Sequence, residues 1–231
     1  MSIYNQPIRN KKLFTAVIVA AVLVMFVLRG ILLRQGKVGT PSALSPDQIQ
    51  QELQKTEIHV RTGSAQGHGT VLQMNRQDRK DVFYVVTAGH LRGDAGETLQ
   101  ITDSTGNPFT GDVRSENTKK DFLLVRCEGK APESVSFSED LYYQTKQGDT
   151  VYYLKSDGTL AAGTVLSASA DVEGVGSGML VIAGDAENGM SGGGVYNSAG
   201  YYLGMISAGT DEGTIACVPG NVIVDAFRKA R

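Results

Sequence analysis

The chain has 231 residues, of which 41% are apolar and 20% charged. That suits one packed domain with an extension and excludes global disorder. Two Cys cannot build a disulfide scaffold. The net charge of −2 hides an asymmetry. Residues 1–34 hold five of the 22 basic residues and no acid, which leaves 17 basic against 24 acidic residues, or −7, in the body. A body of that sign is not a phosphate-backbone binder, and no nucleic-acid partner is expected.

Residues 1–12 read as a short basic tail. Leu13 to Leu28 is an uninterrupted run of small and apolar residues. At about 1.5 Å per residue it reaches roughly 24 Å, short of a bilayer core of about 30 Å. Counted on to Leu33 it reaches about 31 Å, with Arg29 snorkelling to the headgroups. A cleaved signal peptide would need small residues just after the run, where Leu28, Arg29, Gly30 and Ile31 stand. The expectation is an uncleaved transmembrane anchor over residues 13–33, with the lipid bilayer as partner. Basic residues flank it on both sides, so the body is placed outside the cytoplasm by the usual signal-anchor arrangement.

Residues 34–56 read as a stalk. Within it Ser45-Pro46-Asp47-Gln48 offers an N-cap, a Pro at the first helical position and a capping-box Gln, which predicts a short helix to Lys55. From Glu57 the pattern becomes strand, turn, strand. The runs are Ile58–Arg61, Thr70–Met74, Val82–Thr87, Thr98–Asp103 and Phe122–Cys127. After a polar connection over 129–149 come Thr150–Leu154, Gly163–Ala168, Met179–Ala183, Gly194–Asn197, Leu203–Ser207 and Thr214–Val218. β-Branched and aromatic runs at this spacing, with 28 Gly and no Trp, predict an all-β sandwich or a pair of barrels. A short basic-ended helix closes the chain over 221–231. Cys127 and Cys217 each sit in an apolar run and are expected as buried thiols.

Three separated residues carry the chemistry. Gly189-Met190-Ser191-Gly192-Gly193 is a tight turn that exposes a hydroxyl and lets backbone N–H groups converge on an oxyanion. Thr87-Ala88-Gly89-His90 puts an imidazole at a strand end. Asp121 heads the apolar run Phe122–Val125, where a carboxylate is costly unless it meets a partner such as an imidazole N–H. The order His, Asp, Ser is that of a nucleophilic triad on two β-barrels. Taken singly, the three are equally an exposed strand-end His, a strand-capping Asp and a hairpin Ser. No Cys/His cluster has zinc spacing and no phosphate-cradling loop precedes a helix, so no metal and no cofactor are expected. His59 and His68 read as structural.

From about Ile58 to the C-terminus the chain resembles the chymotrypsin/trypsin-like serine peptidases, Deg-type members included. Gly67-His68-Gly69-Thr70, Thr87–His90, Asp121–Leu124, Gly148–Val151, Gly163–Ser167, Gly189–Gly193 and Gly204–Gly209 match its motifs in order. The resemblance implies two six-stranded antiparallel β-barrels, about 57–128 and 147–220, with the site between them. It implies Ser191 as nucleophile, His90 as base then acid, Asp121 as the group that fixes the tautomer, and the N–H groups of Gly189 and Ser191 as oxyanion hole. Ser207, Ala208 and Gly209 would line a protein or peptide substrate. Asp185 would lie at the base of the primary pocket and select Arg or Lys. Met190 departs from the family, because trypsin has an Asp there that pairs with a newly cut N-terminus. No module is expected after the closing helix. The expected protein is a membrane-anchored serine endopeptidase, with a catalytically silent binding or sensing module of the same fold as the alternative.

Overall fold

A computed structural model describes residues 41–230, apart from 64, 75–81, 94, 95, 97, 131 and 211. The anchor expected over 13–33 lies outside the described residues. Among the described residues no helix is long and apolar enough to cross a membrane.

Helix α1, Pro46–Thr56, forms as its sequence dictates. Ser45 caps it in a complete capping box with Gln48, and Pro46 opens the first turn. Only its outer face is polar. Ile49 and Leu53 are buried in one core with Val86, Leu154 and Tyr202, and Gln50 and Gln54 both donate to Gly158 O. This is a correction to the stalk: the compact unit begins at Ala43, and α1 belongs to it.

Strands β1 (Glu57–Thr62), β2 (Ala65–Met74), β3 (Val82–Ala88), β4 (Thr98–Asp103), β5 (Pro108–Asn117) and β6 (Phe122–Glu128) close a barrel in the order β1-β2-β3-β6-β5-β4. Its centre is filled by Ile58, Val60, Val71, Phe83, Val85, Leu99, Ile101, Leu123, Val125 and Cys127. Strand β5 had no signal in the sequence. It is short of β-formers with only Gly111 buried, and it exists because β4 and β6 both pair with it and complete the ring.

Strands β7 (Thr150–Leu154), β8 (Leu160–Val172), β9 (Gly176–Ala183), β10 (Gly194–Asn197), β11 (Tyr202–Thr210) and β12 (Thr214–Pro219) close a second barrel in the order β10-β11-β12-β9-β8-β7. Every pairing in both barrels is antiparallel. The linker between the barrels carries a one-turn helix, α2 (Glu139–Tyr143), and a parallel bridge from Ser136 to Tyr201. Helix α3, Gly220–Ala230, buries Ile223 and Phe227, and the Phe227 ring meets Tyr84 of β3 edge to face. The C-terminal helix thus covers the first barrel as well as following the second. Cys127 and Cys217 are free and buried. Burial pushes the Cys127 thiol up to about 12, so it is no nucleophile at neutral pH.

Candidate active site

His90 sits in a 3₁₀ turn, Gly89–Arg92, that follows β3 directly. The turn is held because Leu91 is buried and its carbonyl accepts from the Thr62 hydroxyl. The imidazole remains outside, with a side chain 49% exposed. Asp121 ends the turn between β5 and β6 with φ of +53°, the one positive φ outside glycine among the described residues. Asp tolerates that region better than most side chains. The conformation turns its carboxylate back onto the His90 segment. Gly89 N–H donates to Asp121 O at 2.9 Å, His90 N–H to Oδ1 at 2.8 Å, and the ring Nδ1 lies 2.9 Å from Oδ2. Sequence reasoning expected this meeting, and the structure brings the two residues together.

A fourth partner was not legible. Ser207, on β11 of the second barrel, is buried and donates its hydroxyl to Asp121 Oδ2 at 2.6 Å. It sits in a bulge of the β11–β12 ladder, between Ile206 and Ala208. Its hydroxyl therefore supports the carboxylate. A serine at the end of the Gly204–Ser207 run was the only sequence signal, and it did not say which way the hydroxyl points. Asp121 responds to this setting. Burial alone would raise it, but the bonds from His90 and Ser207 outweigh burial and hold it below the ordinary carboxylate value. The same hydrogen bond holds His90 above the ordinary imidazole value, against the opposing effect of burial.

Ser191 lies in the loop between β9 and β10. The loop is pinned from both barrels. From β11, Ile206 N–H donates to Gly193 O and Ile206 O accepts from Gly192 N–H, both at 2.8 Å. From β2, His68 N–H donates to Ser191 O at 2.8 Å. Ile206 therefore grips the turn while its neighbour Ser207 grips Asp121, and the two halves of the site share one strand. Gly192 has φ of +91°, and a Cβ there would strike the carbonyl of His68, so only glycine fits. Met190 is buried in the second barrel's core, and its sulfur lies 3.2 Å from Glu187 N. The turn is thus anchored by an apolar side chain. The N–H groups of Gly189 and Ser191 donate to no acceptor among the described residues. Between Ser191 Oγ and His90 no hydrogen bond is made among the described residues. A cavity of about 600 Å³ opens beside Gly189, with His59, Arg61, Gln66, Gln100 and Asn188 in its wall.

The expected primary pocket takes a different form. Asp185 is exposed, and its backbone N–H donates to the Tyr153 hydroxyl at 3.0 Å. A side chain at Gly209 would collide with Cβ of Ala186, so the backbone at 209 packs directly against Ala186. The sequence expectation put Asp185 at the base of an enclosed pocket; here the residue is exposed and its backbone is bound to Tyr153. Ala208 is half-buried next to Ser207, and Gly209 is exposed.

Two closed antiparallel barrels, with a His–Asp pair from one and a Gly-x-Ser-Gly-Gly turn from the other, define a chymotrypsin-like fold. The model of the trypsin-like peptidase domain matches residues 67–205, more than half of the chain, and the chain belongs to that family. No curated protein matches it by sequence. Among solved structures, the HtrA-type protease AlgW, determined with a tripeptide, is similar with a TM-score of 0.67 and 13% identity. The likeness covers 80% of this chain and 63% of that one, so this chain spans less than two thirds of that protease. At such identity the likeness is one of fold.

Proposed function

We propose that the protein is a serine endopeptidase. The observation that carries the reading is the His90–Asp121 pair, 2.9 Å from Nδ1 to Oδ2, on the same seam as the Ser191 turn. In acylation, Ser191 Oγ bonds to the scissile carbonyl carbon while His90 Nε2 takes its proton. The tetrahedral oxygen is held by the N–H groups of Gly189 and Ser191. The C–N bond then breaks and the same proton goes to the leaving amine. Water repeats the sequence and frees the acid. Asp121 keeps the Nδ1–H tautomer throughout, so that Nε2 faces the serine unprotonated.

A protein or peptide substrate is supported by the family and by the tripeptide in the AlgW structure. The cavity beside Gly189 falls within the usual range of ligand sites, about 300–1,000 Å³. For the residue before the cut bond, the sequence offers Arg or Lys through Asp185. The exposure of Asp185 and the Ala186–Gly209 contact favour a small side chain instead. Residues 13–33 support tethering to a membrane, with the barrels on its outer side.

The open contact between Ser191 and His90 favours one second reading, a module of this fold that binds peptide without cutting it. Covalent labelling by a fluorophosphonate separates the two. Labelling of the wild type, lost in Ser191→Ala, establishes the enzyme. A folded wild type that takes no label establishes the binding module.

A further inference from the structure

Glu57 and His68 form a buried pair that the chemistry above does not use. Glu57 is the C-cap of α1 and the first residue of β1. His68 stands opposite His59 in the β1–β2 ladder, and the two rings meet edge to face at 5.1 Å. Both Glu57 and His68 side chains are only 6% exposed, and Glu57 Oε2 lies 3.3 Å from His68 Nδ1. That contact is close without the alignment of a hydrogen bond. Burying two ionisable groups is costly unless their polar atoms are used.

Their remaining atoms point to one place. Glu57 Oε1 accepts from Gly194 N–H at 3.0 Å, across 137 residues of sequence. His68 N–H donates to Ser191 O, and His68 O lies where a Cβ of Gly192 would be. A Cβ at Gly193 would lie 3.5 Å from both Glu57 Oε1 and His68 Nδ1. Residues 191–194 are therefore cradled by this pair from beneath. The turn has no carboxylate of its own at 190, where Met190 is buried in the second barrel.

We propose that Glu57 is a positioning residue for Ser191, buttressed by His68, and that docking of α1 delivers its carboxyl group to Gly194 N–H. This rests on the serine peptidase reading. The α1 face that buries Ile49 and Leu53 fixes where its last turn ends. The C-cap N–H bonds Leu53 O, and the Glu57 side chain is buried with Oε1 on Gly194 N–H. The helix thus helps order the nucleophile turn without cleavage of the chain. A loosened turn displaces Ser191 Oγ and the two oxyanion N–H groups together. These groups act mainly on the transition state, so the loss falls on kcat more than on KM.

Two variants of nearly equal size test this in the full chain. Glu57→Gln keeps an oxygen for Gly194 N–H, whereas Glu57→Met fills the space and offers none. The measurements are kcat and KM on a cleaved peptide, the rate of fluorophosphonate labelling, and the melting temperature. Glu52→Gln, on the exposed face of the same helix, is the control and should match the wild type. The expected result is a fall in kcat of about tenfold or more in Glu57→Met, with KM within about twofold, and recovery to within about threefold in Glu57→Gln. Labelling of Glu57→Met at the wild-type rate overturns the proposal. Equal losses in the two variants overturn it too, since the oxygen on Gly194 N–H would then not matter. A Glu57→Met chain that does not fold assigns Glu57 to the whole body and overturns it as well. A wild type that takes no label overturns the peptidase reading and this proposal together, which separates that failure from the others.

Discussion

Asp121→Asn isolates the step in which the imidazole tautomer is chosen. The carboxylate accepts from His90 N–H at Oδ1 and faces His90 Nδ1 and Ser207 Oγ with Oδ2. Asparagine tolerates a φ of +53° at least as well as aspartate, so the turn should survive. Its one oxygen can serve only one side, His90 N–H or the pair His90 Nδ1 and Ser207 Oγ. If the oxygen stays on His90 N–H, the amide NH₂ donates to Nδ1 and the proton moves to Nε2, where it blocks acceptance from Ser191. If the amide flips, NH₂ faces a backbone N–H at the distance now 2.8 Å. An unmet donor of that kind costs about 1–3 kcal/mol, and changing tautomer costs far less, so the blocked form wins by roughly 5- to 150-fold. The charge beside the developing imidazolium is lost in addition. Together these should lower kcat by on the order of 10⁴, or about 5.5 kcal/mol.

The assay is kcat against pH for both proteins, with circular dichroism to verify folding. In the wild type the rate should rise through a midpoint above 6.5, because the Asp121 hydrogen bond raises His90. In the variant the midpoint should move down. Stability carries the same signature. Raised His90 contributes fully below 6.5 and loses that contribution as pH rises through its folded-state value. Depressed Asp121 contributes above 3.8 and loses it as pH falls through its own folded-state value. The melting-temperature gap between wild type and variant should therefore be widest between these two limits. A folded Asp121→Asn protein with kcat within tenfold of wild type would refute the reasoning.

Leu53→Ala should lower unfolding free energy by about 2–5 kcal/mol in denaturant titration, since Leu53 is 1% exposed within the shared core; a cost under about 0.5 kcal/mol, the level of an ordinary surface change, would mean that α1 is not docked. Asp185→Ser should leave both Ser191 labelling and a peptide-library profile unchanged. Loss of cleavage after Arg or Lys by about 30-fold or more would instead restore the carboxylate to the pocket. After carbonate washing, full-length protein should stay with membranes while a protein beginning at Ala43 is soluble. Recovery of the full-length gene product as a soluble, shortened chain would indicate signal cleavage.

Local chemistry alone determined much of this protein. The aromatic and β-branched run Phe83–Val86 favours a buried strand, and Ser45-Pro46-Asp47-Gln48 supplies a complete capping box that starts a helix. The Gly189–Gly193 turn, the strand-end His90 and the carboxylate heading an apolar strand each carry their signal within five residues. Strand β5 carried none, because Phe109, Thr110 and Val113 are scattered among Pro, Gly, Asp, Ser and Asn, and the unsatisfied edges of β4 and β6 make it a strand. Contacts across long separations were equally silent. The Ser207 hydroxyl reaches Asp121 over 86 residues, and the Glu57 carboxyl reaches Gly194 over 137. A serine or a glutamate has the same local preferences whether it faces water or a buried donor. Which of the two it meets is decided when both barrels and α1 close on one seam, where an unpaired polar group costs more than the side chain's freedom.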